Sequence, residues 1–117
     1  MSVRPPRRVP DAWGSGNIDV LNYEVAQEQA ATLGRLGGRL KLALEALARF
    51  DADAASGDAR PDEREALLSA AGEALWYYVV QREVLGLGAS EEVMRELRVP
   101  REVRLRMGLP RRSDRPR

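Results

Sequence analysis

Apolar residues return every three or four positions along two long stretches of this chain. In the first, Asn17 to Phe50, the stripe runs Ile18, Leu21, Val25, Leu33, Leu36, Leu40, Leu44 and Leu47. In the second, Pro61 to Leu87, it runs Leu67, Leu68, Ala71, Leu75, Tyr78, Val79 and Leu85. That spacing is the period of one helix face, so each stretch predicts a long amphipathic α-helix. Gln29 and Thr32 interrupt the first stripe in its middle third, and Leu42 and Ala46 broaden it near its end. The segment Ala74–Val80 is apolar all round, which predicts that this part of the second helix is enclosed.

Capping and breaking residues set the boundaries. Asn17 is suited to cap the first helix, with Asp19 in its first turn. Asp51–Arg60, rich in Asp, Ala, Ser and Gly, reads as the connecting loop. Pro61 fits the first position of the second helix, followed by Asp62, Glu63 and Glu65, and Gly86 and Gly88 end it. Ser90 caps a short third helix of about Glu91–Arg98, Val99-Pro100 breaks it, and Pro100 opens a fourth that ends at Gly108. The expected fold is all-α: a long antiparallel helical hairpin plus two short C-terminal helices, forming one helical domain over residues 17–108. Residues 1–16 read as a disordered basic arm, rich in proline and glycine, in which Trp13 is the one residue suited to dock on a surface. Residues 109–117 read as a disordered basic tail. The first helix would be roughly 50 Å long at 1.5 Å per residue. A lone hairpin of that length leaves much of both apolar faces wet, so two copies are expected to pair into a four-helix bundle.

Antiparallel packing allows levels to be matched across the hairpin. If Asp51 faces Pro61, then Glu28 lies level with Arg82–Val84, Gly34 with Tyr78, and Gly37 and Gly38 with Leu75 and Ala74, to within about one turn. Glycines at 34, 37 and 38 each cost about 1 kcal/mol relative to alanine inside a helix. A packing role explains them: they make room for the bulky Trp76-Tyr77-Tyr78 segment, or for a second helix across a dimer axis. The same levels bring Glu24, Gln27 and Glu28 to the end that carries Gln81, Arg82 and Glu83. This reads as a structural polar cluster, with Arg82 partly buried and bridging to Glu28 or Glu24. Paired carboxylates can also hold metals, but helical di-metal sites add Glu-x-x-His pairs from the facing helices, and this chain has no histidine.

Composition narrows the chemistry further. The chain has neither cysteine nor histidine, so it lacks thiolate nucleophiles, disulfides, and the commonest general base and metal ligand. No catalytic residue, cofactor site or metal site is assigned. The start of the chain offers no apolar segment of the kind a signal peptide needs, and Ala74–Val80 is far shorter than a membrane span of about 20 residues. A cytoplasmic protein without membrane contact is therefore expected. The net charge of +1 hides an acidic body between basic ends. Nine of the eighteen arginines lie in residues 95–117. Arg95, Arg98, Arg101, Arg104, Arg106, Arg111 and Arg112 form a candidate basic surface for nucleic acid or for the acidic body of a neighbour. Eighteen arginines against one lysine also fit a gene rich in G and C. No aromatic residue interleaves with these arginines for base stacking, and Val99-Pro100 is not the glycine-containing turn of a helix-turn-helix.

Three segments carry a resemblance. They are Tyr23-Glu24-Val25-Ala26-Gln27-Glu28-Gln29-Ala30; Ala74-Leu75-Trp76 with Val80-Gln81-Arg82-Glu83; and Val99-Pro100-Arg101-Glu102-Val103 with Arg106-Met107-Gly108. Together they resemble a family of short bacterial proteins known only as a domain of unknown function, over most of residues 17–108. The resemblance implies a small all-helical fold and supplies no activity. The expected function is a non-enzymatic structural or protein-interaction module acting as a homodimer, with an unidentified protein as a further partner. The alternative is a nucleic-acid-associated accessory protein that uses the arginine-rich C-terminal region.

Overall fold

The computed structural model describes residues 15–55, 57, 60–88 and 90–108, so the expectations for residues 1–14 of the N-terminal arm, Trp13 included, and for the C-terminal tail lie outside the described residues, whereas residues 15 and 16 of the expected arm are helical. Among the described residues the fold is all-α, with four helices: α1 (Ser15–Ala54), α2 (Pro61–Val84), α3 (Ser90–Glu96) and α4 (Arg101–Arg106). The chain divides into two compact units, residues 1–32 and residues 33–117.

In the first unit the described residues are helical from Ser15 onward. The helix thus begins two residues before the expected Asn17, a difference within the usual fraying of a helix end. Every residue from Gly16 to Glu28 is exposed, including the apolar Ile18, Val20, Leu21, Tyr23 and Val25.

The second unit holds the core. Leu40 and Leu47 of α1 meet Leu68, Ala71, Ala74, Leu75 and Val79 of α2, closed over by Met94 of α3 and Val103 of α4. Contacts between α1 and α2 run in opposite senses along the two helices: Asp51 pairs with Arg64, Arg39 with Glu73, and Gly37 faces Tyr78. This register differs by about one turn from the level matching that placed Gly34 opposite Tyr78. Gly37 is the glycine that makes room for the ring. A Cβ there would lie 3.1 Å from the Tyr78 Cε1, whereas Gly34 and Gly38 open onto space.

The ends of the helices have local causes. α1 continues past the expected Phe50 to Ala54, because Arg64 takes up the Asp51 carboxylate that would otherwise sit unfavourably at a negative helix end. α2 stops at Val84, short of the expected Leu87. Gly86 adopts a φ of 72°, and this lets its N–H reach the Glu83 carbonyl at 3.0 Å and the Leu87 N–H reach that of Arg82 at 2.9 Å. The same reversal ends α3 at Glu96 rather than Arg98, but here Arg98 takes the left-handed position with a φ of 53°. Its N–H donates to the Arg95 carbonyl and the Val99 N–H to that of Met94. Pro100 then precedes α4, which ends at Arg106 rather than Gly108.

Ala74–Val80 is not enclosed all round. Ala74, Leu75 and Val79 are buried, but Trp76 and Tyr77 stay 44% and 48% exposed. A run of this length covers about two turns, so it cannot present every side chain to one core. A closer approach still is between α2 and α4. Gly72 lies so near α4 that a Cβ on it would come within 2.6 Å of the Arg106 Cβ and 3.0 Å of its backbone carbonyl.

Candidate functional site

Three groups of polar side chains in the second unit set its surface chemistry. The first is centred on Arg64. Its Nε donates to the Asp51 Oδ1 at 2.8 Å, its Nη1 to the Glu102 Oε2 at 2.8 Å, and its Nη2 to the other oxygen of each carboxylate. One guanidinium thus joins α1, α2 and α4. The hydrogen bonds from Arg64 hold both carboxyls below the usual carboxylate range, and Glu102 first, then Asp51, hold the guanidinium above its own. A carboxyl held low is a poor proton donor near neutral pH, so this arrangement suits joining helices better than acid–base work. Arg64, Asp51 and Glu102 were not among the sequence candidates. They are far apart in the chain, and each looks like an ordinary solvated charge.

These residues line one side of an open cleft of about 510 Å³. Leu44, Leu47, Ala48, Leu97 and Pro100 give it apolar lining, and Arg98 and Glu45 line it as well. Arg64 already holds two carboxylates, so its positive charge is taken up from within the cleft. A second open cleft, of about 500 Å³, lies between Phe50 of α1 and Leu67 of α2, bordered by Arg49, Asp53, Arg60 and Glu63.

The second group is the arginine-bearing C-terminal helices. Arg104 holds Glu91 of α3 with bonds of 2.7 and 2.9 Å. Arg106 holds Glu65 of α2 through both carboxylate oxygens, and this bond raises the arginine's affinity for its proton. Both arginines therefore fasten α4 to its neighbours. Arg95, Arg98 and Arg101 remain exposed, while Arg111 and Arg112 lie outside the described residues. The candidate basic surface is thus narrower than the sequence count, since two of its members face carboxylates of the same chain.

The third group lies at the end of α2. Arg82 is half-buried, as expected, with Gln81 half-buried and Glu83 exposed beside it. Its Nη2 donates to the Gly88 carbonyl at 3.0 Å, its guanidinium lies 5.9 Å from the centre of the Tyr78 ring, and its Nε is buried without an acceptor. A main-chain carbonyl thus occupies the donor for which a carboxylate was expected. The other half of the expected cluster, Glu24, Gln27 and Glu28, belongs to the first unit, where all three are exposed. Among the described residues, no group of three or more acidic side chains is placed to hold a metal ion, and no helix is long and apolar enough to cross a membrane.

No curated protein and no solved structure matches the chain. A family model does match, over residues 8–115, nearly the whole length. The chain belongs to that family, DUF6665, a family of unknown function.

Proposed function

We propose that the chain is a non-enzymatic helical module that works through protein–protein contact as a cytoplasmic homodimer, two antiparallel hairpins packing into a four-helix bundle. The observation that carries this reading is the line of exposed apolar side chains on α1: Ile18, Leu21 and Val25, with Val20 and Tyr23 beside them. Ile18, Leu21 and Val25 are spaced as the seam positions of a paired helix. Contiguous exposed apolar surface of this kind marks interaction sites in soluble proteins. The hairpin is supported by the opposed order of the Asp51–Arg64, Arg39–Glu73 and Gly37–Tyr78 contacts.

The alternative, an accessory protein that binds nucleic acid through its arginines, has less support, because Arg104 and Arg106 are committed to Glu91 and Glu65. Sedimentation of the full chain over a dilution series tests the two readings together. A dimer that persists on dilution, without salt-dependent co-sedimentation with duplex DNA, supports the module. A monomer that binds DNA with a steep salt dependence would replace it with the alternative.

A further inference from the structure

The seam of α1 that runs Ile18, Leu21, Val25 reaches Glu28 at its next position, so a helix packed along this seam would meet a carboxylate at its end. Residues 17–32 carry Asp19, Glu24 and Glu28 and no lysine or arginine. Two such segments paired side by side in the same direction would set like charges against each other, which disfavours that pairing. The surface that covers this seam must therefore be apolar and must offer a cation.

The end of α2 has both properties. Trp76, Tyr77, Val84 and Leu87 leave large apolar area exposed along it. Arg82 lies on the Tyr78 side of the same stretch, half-buried, and among the described residues of its own unit no carboxylate takes its charge. Its present pose is under-satisfied: one nitrogen reaches the Gly88 carbonyl, while the Nε is buried with no acceptor. A guanidinium is built to hold a carboxylate through two of its nitrogens at once, so a small turn of this side chain toward an arriving carboxylate would satisfy the orphaned donor.

We infer that the Ile18–Glu28 segment of one copy docks on the α2 end of a second copy, with Glu28 pairing with Arg82 across the interface. The contact occurs twice in a two-fold dimer, because each copy offers both a seam and an α2 end. This rests on the homodimer reading and names the surfaces that make it.

Charge reversal on the full-length chain tests the pairing. Glu28→Arg changes an exposed helix position and leaves the fold intact, and it should weaken dimerisation by roughly tenfold or more. Arg82→Glu should do the same. Mixing the two variants should restore the dimer. In the mixed pair one contact has its charges exchanged and the other is native, so both attract. A charge pair made within one chain could not be rescued by mixing. Leu21→Asp, also at an exposed position, should yield a monomer of unchanged helicity by circular dichroism. A wild-type dimer that survives Glu28→Arg and Leu21→Asp overturns this inference and leaves the homodimer reading standing. Failure of the mixture to re-form a dimer, with both variants folded by circular dichroism, overturns it equally. A wild-type chain that is monomeric overturns both.

Discussion

Gly72 of α2 lies directly against Arg106 of α4, close enough that a single added carbon would come within 2.6 Å of the Arg106 Cβ. The opposing atoms include the Arg106 main chain, so a side chain at 72 cannot be accommodated by turning a flexible neighbour. The same arginine reaches Glu65, two turns back on the same face of α2, so the close approach and the ion pair position α4 together. Gly72→Ala should therefore destabilise the chain by about 1–3 kcal/mol, despite a helix-propensity gain of about 1 kcal/mol in the other direction. Urea denaturation followed by circular dichroism reads the difference. A gain in stability would mean that α4 does not rest on this face.

The glycines of α1 should separate into two kinds. At Gly37 the Tyr78 ring lies 3.1 Å from where a Cβ would be, so Gly37→Leu should overpack the contact and cost about 1–3 kcal/mol. Gly34 and Gly38 face open space, so Gly34→Ala and Gly38→Ala should each stabilise by about 1 kcal/mol through helix propensity alone. Thermal melts of the three variants rank them. Equal effects at all three positions would contradict the register between α1 and α2.

How much of this was legible in the sequence follows from how local each cause is. Pro61, Gly86 and Pro100 act on their own neighbours, and the helices they delimit were placed to within a few residues. The pairing of α1 with α2 is set by a short connection, so glycines opposite Trp76–Tyr78 could be foreseen to one turn. Gly72 could not. It follows Ser69-Ala70-Ala71 in a run of small residues, and what it approaches depends on how two short helices fold back over α2. The Arg64 network was hidden for the same reason, since its carboxylates come from Asp51 and Glu102 on different helices. Arg82 was expected to be partly buried from its place on the apolar side of α2, and it is. That Gly88 would supply an acceptor depended on where the chain reverses after α2, which periodicity does not specify.

Acid should loosen the join between α1, α2 and α4. Arg64 holds the Asp51 and Glu102 carboxyls below their ordinary values in the folded chain. Groups depressed in this way stabilise fully above their unfolded pKa, near 4, and the contribution is lost as pH falls through the lower folded value. The urea midpoint should thus be level near neutral pH and fall below about pH 4. In Arg64→Met the acid limb should be shallower. An identical acid limb in both proteins would show that the three-way contact contributes nothing in solution.

Arg98 holds a left-handed conformation, φ 53°, at the end of α3, where glycine is the usual residue. Arg98→Gly should keep or raise stability, by up to about 1 kcal/mol, because the side chain is exposed and the backbone strain is relieved. Arg98→Val, branched at Cβ, should lower it. Denaturation midpoints of the two variants in parallel test the assignment, and a more stable valine variant would contradict it.

In the proposed dimer a second copy covers the apolar seam of α1. Leu21, 59% exposed on that seam, is the position through which to ask. The most direct measurement is the light-scattering mass of the wild-type chain at micromolar concentration beside that of Leu21→Asp. Twice the 13.0 kDa chain mass is expected for the wild type and the single chain mass for the variant, with equal helicity. A wild-type mass of 13.0 kDa would contradict the dimer.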